Sequence, residues 1–216
     1  MIIKVCGMRE PENIRAVEQL GIDWMGFVFC PQSPRYVRTV PTYLPSHCKR
    51  VGVFVDAKIA EVLNRTRDYQ LDVVQLHGEE SPHYIEHLLA VLPARVQIMK
   101  MLPVATVEDL CRTEVYAPLV NYFLFETKFL QTGNYYGGSG KQFDWNILSA
   151  YQGTKPFLLS GGIGPDDAER LHTFFSSDNG SVAEKCIGID LNSRFEISPA
   201  LKDVSVLQKF RSKLPH

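Results

Sequence analysis

The chain has 216 residues, 45% of them hydrophobic and 22% charged, with a formal net charge of −1. That length supports a large buried core, and the near-neutral balance provides no field to attract nucleic acid or a membrane surface. Five scattered cysteines (Cys6, Cys30, Cys48, Cys111 and Cys186) form no C-x-x-C pair, which argues against a disulfide framework or structural zinc and for a reducing compartment.

The N-terminus enters an apolar run at once, without the basic segment and long apolar core of a signal peptide. No apolar run approaches the ~18 residues of a membrane span, so a cytoplasmic protein is expected. IIKVCG is the first strand candidate, and PENIRAVEQLG follows it, with Pro11 suited to a first helical turn and Gly21 as a stop. After WMGFVF, the stretch VPTYLPSHC holds two prolines and leaves room only for a short element. RVGVFV precedes AKIAEVLNRTRDYQ, whose apolar residues recur at three and four. DVVQLHG precedes SPHYIEHLLAVL, with Ser81 as N-cap and Pro82 at the first helical position. VQIMKML leads to TVEDLCRTEVYA, where Thr106 and Asp109 approximate a capping box. NYFLFET, PFLLSGG and CIGIDLN are the last three strands; FDWNILSAYQ, PDDAERLHTFFS and DVSVLQKFRSKL are the helices after them.

Continuous rather than alternating apolarity marks strands covered on both faces, as in a parallel sheet. Eight such βα units in one chain of this length predict an α/β protein, a single-domain (β/α)8 barrel over residues 1–216. An open doubly wound sheet is disfavoured, because CGMREPEN is not the G-x-G-x-x-G fingerprint expected after its first strand.

A barrel carries its site at the carboxyl ends of the strands. Those ends supply Cys6, Arg35, Asp56, His77, Glu126, then Ser160 with Gly161 and Gly162, then Asp190 with Asn192, Ser193 and Arg194. Glycines let backbone N–H groups approach an anion, and helix N-termini attract phosphate. SGGIGPDD and DLNSRFE, each read as entering a helix, together predict a phosphate site. From the residues alone, Cys6 is either a packing thiol or a reactive group.

Seven segments in order (KVCGM, GFVFCPQSPRYV, VGVFV, VVQLHG, GGSGKQFDW, LLSGGIGPDD and IGIDLNSRFE with ALKD) resemble phosphoribosylanthranilate isomerase. The resemblance spans nearly the whole chain. It implies a barrel enzyme of tryptophan biosynthesis that uses no metal or organic cofactor. Such an enzyme converts N-(5-phosphoribosyl)anthranilate to 1-(2-carboxyphenylamino)-1-deoxyribulose 5-phosphate by an Amadori rearrangement. It further implies that Cys6 is the general base and that Arg35 holds the anthranilate carboxylate. Asp190, Gly161, Gly162, Asn192 and Ser193 would contact the substrate.

The chain departs from the family at the acid, because LFET places Glu126 where the family has aspartate. Glu126 is expected to be the general acid, either on a strand end adjusted for one more methylene or with reduced activity. Lys4 is read either as a tuner of Cys6 or as an interior lysine paired to another polar group. Arg194 either adds a phosphate contact or points to solvent. YYGGSGKQFDW is read as a cover over the site, and His77 as structural. The expected partner is a small phosphorylated substrate, with no nucleic acid or membrane, in a monomer or homodimer. Other readings of the same residues are a different sugar-phosphate barrel enzyme or a non-catalytic ligand-binding barrel.

Overall fold

Eight parallel strands close on one another in sequence order to form a barrel. The computed structural model describes residues 1–127, 144–176 and 181–214. The strands are β1 (Ile2–Val5), β2 (Trp24–Val28), β3 (Lys49–Phe54), β4 (Val73–Leu76), β5 (Gln97–Val104), β6 (Tyr122–Thr127), β7 (Phe157–Leu159) and β8 (Cys186–Leu191). Each coincides with one apolar run of the sequence, because a strand buried on both faces needs apolar side chains at every position.

Around them lie α1 (Pro11–Glu18), α2 (Ile59–Tyr69), α3 (Pro82–Leu89), α4 (Arg112–Tyr116), α5 (Ala168–Ser176), α6 (Ser181–Lys185) and α7 (Val204–Arg211). The caps behave as their chemistry predicts. Ser81 Oγ accepts from the Tyr84 amide at 3.2 Å, and the Asp109 carboxylate accepts from the Thr106 amide at 3.0 Å. The proline-bearing segment after β2 holds no helix.

Several elements differ from the sequence expectation. The stretch after β6 forms a 3-10 run, Trp145–Ala150, rather than an α-helix. Helix α5 starts at Ala168, three residues beyond Pro165, because Gly164 and Asp167 first close a turn through a 2.7 Å bond. The helix expected from Asn192 is a single 3-10 turn, Ser193–Phe195. A small antiparallel hairpin, β9 (Glu196–Ser198) and β10 (Leu201–Lys202), follows it.

Strand alternation positions the site. The floor of the barrel is apolar, built from Trp24, Val51, Val73, Met99, Met101, Leu124 and Leu158. Residues two positions further along a strand share its inward face. Val73 is thus followed inward by Gln75 and His77, Leu124 by Glu126, and Leu158 by Ser160. On β1 the same alternation carries Lys4 and then Cys6. Lys4, Gln75 and Asp190 are buried above the floor. The rim above them carries the polar groups at the carboxyl ends of the strands.

Candidate active site

A cavity of about 260 Å³ opens at the carboxyl ends of the strands. Cys6, Arg35, Glu126, Gly161, Gly162, Asp190, Asn192 and Ser193 all line it. The sequence-derived site residues therefore meet in one place, although they come from distant parts of the chain.

Cys6 sits just past β1 and is 4% exposed. Its amide donates to the Leu191 carbonyl at 2.8 Å, which continues the β1–β8 pairing and fixes the thiol's direction. Gly26 on β2 leaves it room, since a Cβ there would lie 2.7 Å from Sγ. Burial pushes the thiol above its ordinary pKa, while the cations Lys4 and Lys202 pull it back and Asp190 adds to the upward push.

Lys4 answers to both of its readings. Its Nζ donates to Asp190 at 2.7 Å in a pair that is nearly out of solvent. Burial opposes its charge, but Asp190 and Cys6 outweigh that, and its pKa lies above the ordinary lysine value. Lys4 is thus a buried ion-pair partner and also a cation beneath the thiol. Asp190, read as a substrate contact, reaches the cavity with one oxygen anchored below it.

Glu126 lies within β6, in register with Pro103 on β5. Its Oε2 is 3.1 Å from His77 Nε2, with both side chains largely buried. Gln75 Nε2 lies 2.8 Å from His77 Nδ1. With the amide nitrogen donating, Nδ1 accepts and Nε2 carries the proton that goes to Glu126. Gln75 Oε1 is buried without a partner among the described residues. Rotating the amide would let that oxygen accept from a protonated Nδ1, so Gln75 can serve either histidine tautomer. His77, read from sequence as structural, is thus the group that holds the carboxyl of Glu126. The signal that could have found it was its place two residues past Gln75, at a strand end.

The two anion loops lie side by side. Gly161 and Gly162 have φ of +94° and +75°, in the left-handed region that favours glycine. A Cβ on Gly161 would strike Thr127 Oγ1 at 2.4 Å, so the close passage past β6 requires glycine there. In the 3-10 turn, the amides of Ser193 and Arg194 have no preceding intrahelical carbonyl to bond. Arg194 reaches back over the first loop, its Nε 3.0 Å from where a Cβ on Gly164 would sit, and it lines the cavity. Its side chain is exposed, so Arg194 stands at the solvent edge of the cavity. The segment read as a cover, residues 135–145, lies outside the described residues except for Asp144 and Trp145.

A (β/α)8 barrel with a thiol and a carboxyl at one mouth, beside paired glycines and an arginine, defines a barrel enzyme equipped for acid–base chemistry. The comparisons narrow this class. Residues 3–213 match the family model for N-(5'-phosphoribosyl)anthranilate (PRA) isomerase. The chain is 48% identical over 214 residues to the N-(5'-phosphoribosyl)anthranilate isomerase of Phocaeicola vulgatus, covering 99% of this chain and 98% of the relative. It is 45% identical to that of Parabacteroides distasonis, covering 100% and 94%. The crystal structure of phosphoribosyl anthranilate isomerase from Thermotoga maritima superposes with a TM-score of 0.78 at 29% identity, covering 99% and 98%. A phosphoribosyl anthranilate isomerase in complex with reduced 1-(o-carboxyphenylamino)-1-deoxyribulose 5-phosphate gives 0.77 at 27%, with the same coverage. The chain belongs to the N-(5'-phosphoribosyl)anthranilate isomerase family.

Proposed function

We propose that this barrel, acting as one domain, isomerises N-(5-phosphoribosyl)anthranilate to 1-(2-carboxyphenylamino)-1-deoxyribulose 5-phosphate, with Cys6 as base and Glu126 as acid. The observation that carries the roles is the convergence of both groups on one cavity, with Arg35 and the two glycine-bearing loops around them. Glu126 donates its proton to the furanose oxygen as the ring opens, and the anthranilate nitrogen becomes an iminium. The thiolate of Cys6 then takes the proton from the second sugar carbon, leaving an enolamine that tautomerises to the ketone. The enzyme ends with a protonated thiol and a carboxylate. One proton must therefore leave Cys6 and one return to Glu126 before the next turnover.

The phosphate lies against the amides of Gly162, Ser193 and Arg194, with the Arg194 guanidinium over it. Arg194→Ala is expected to weaken binding of the phosphorylated product by about tenfold, the worth of one charge-assisted hydrogen bond. Isothermal titration checks this, and an unchanged affinity would leave Arg194 facing solvent. Arg35 holds the anthranilate carboxylate through its planar fork. Arg35→Lys is expected to weaken the carboxylate-bearing ligand by about 1.5–3 kcal/mol. Ribose 5-phosphate should bind as before; an equal loss for both would place Arg35 at the phosphate or in the fold. A base that works as a thiolate also suits a reducing, cytoplasmic setting, and all five cysteines are free thiols. The direct test of the whole reading is the loss of anthranilate-adduct fluorescence with purified protein.

A further inference from the structure

We propose that Glu196, backed by Lys202, is a positioning residue that turns Arg35 towards the substrate's carboxylate and so sets the preference for an acidic aromatic ring. This rests on the reading of Arg35 given above. A guanidinium offers two bidentate faces, the Nε/Nη2 edge and the Nη1/Nη2 end. Glu196 occupies the edge: Oε1 lies 2.8 Å from Nε and Oε2 lies 2.6 Å from Nη2. Nη1 has no hydrogen-bond partner among the described residues, and Arg35 lines the cavity. The end face is what remains for a ligand.

The clamp is itself held. Lys202 Nζ donates to Glu196 Oε1 at 2.6 Å and to Asn192 Oδ1 at 2.8 Å. The Ala200 amide donates to the same Glu196 oxygen at 3.2 Å. Lys202 is fixed in turn by Asn13, which accepts from its amide at 2.8 Å and donates to its carbonyl at 2.9 Å. The arginine stem has a prepared track: Gly7 has φ of +77°, and a Cβ there would lie 2.6 Å from Arg35 Cδ. The β9–β10 hairpin is thus the strut that supplies both Glu196 and Lys202.

Charge points to the same ligand. Arg35 and Lys202 are two cations and Glu196 one anion, with side chains 12%, 0% and 5% exposed. The cluster keeps one excess positive charge at a poorly solvated mouth, and a single aromatic carboxylate neutralises it. The hairpin also joins this end of the site to the phosphate loop, through the bond from Lys202 to Asn192.

The test compares two probes: reduced 1-(o-carboxyphenylamino)-1-deoxyribulose 5-phosphate and the same compound without its carboxyl. In Glu196→Gln, affinity for the first should fall by about tenfold or more and affinity for the second by less than about twofold, as expected when one charged hydrogen-bonding arrangement is loosened. KM should rise with the first value while kcat stays within about threefold. An equal fall for both probes would mean that Glu196 supports the fold alone. Tighter binding of the carboxylated probe would make Glu196 a competitor for Arg35 rather than its clamp; either result overturns the proposal. Should Glu196→Gln not fold, Glu196→Gln/Lys202→Met removes both members of the buried pair, keeps the cluster's net charge at the native value and carries the same comparison. Arg35→Lys separates the levels. If it abolishes discrimination between the probes while Glu196→Gln retains it, Arg35 reads the carboxylate and the clamp is refuted. If the native enzyme itself does not discriminate, the reading of Arg35 falls and the clamp with it.

Discussion

Cys6→Ser is expected to lower kcat by at least about a hundredfold while affinity for the reduced product analogue hardly changes, since general bases contribute about 10²–10⁴. The two side chains differ little in size, so the substitution tests chemistry rather than packing. The thiol lies at the barrel mouth with its direction fixed by the β1–β8 pairing. A serine hydroxyl in the same place is far too weak an acid to supply an oxyanion near neutral pH. The pH profile gives a second readout. The base acts deprotonated, and burial pushes the Cys6 pKa up against the pull of Lys4 and Lys202. The rise of kcat/KM with pH should therefore lie on the alkaline side of an ordinary thiol, and the serine variant should lose that limb. A variant that kept more than half the native activity would return Cys6 to the packing role that its burial also fits.

The barrel was legible in the sequence for a simple reason. A strand covered on both faces must be apolar throughout, so each of the eight was written as one short run. Ser81 and Asp109 could be read as caps because capping is local, settled within four residues. The 3-10 run Trp145–Ala150 was harder to read, because over six residues a period of three and one of 3.6 give nearly the same apolar pattern. The β9–β10 hairpin was missed outright, since ISPA carries no run and its strands are two or three residues long.

At the site, the residues at strand ends could be found from their positions, but their pairings could not. Arg35 meets Glu196 across 161 positions, and Lys4 meets Asp190 across 186. Only closure of the barrel brings such pairs together. His77 illustrates the consequence. Taken alone, it is a histidine at a strand end; opposite Glu126 it becomes the fixture for the acid.

That pairing bears on Glu126, which stands where the family resemblance implies an aspartate. Glu126→Gln is expected to lower turnover by about a hundredfold or more, because it keeps the size and removes the transferable proton. Glu126→Asp should also be slow, although it restores the residue that the family resemblance implies. The carboxyl of Glu126 is placed by a 3.1 Å contact with His77, whose ring is set by Gln75. Shortening the side chain by one methylene draws the acid back from that contact by about 1 Å or more, and a displacement of that size can cost about a hundredfold. On this reading the extra length of glutamate is taken up by a partner two strands away. Steady-state kinetics on both variants separate the possibilities. An aspartate variant faster than the native enzyme would mean that the site is still built for the shorter acid and that His77 merely restrains a misplaced one. A fully active Glu126→Gln would transfer the protonation of the ring oxygen to another group, and His77, already within hydrogen-bonding distance of the same position, would be the first to test.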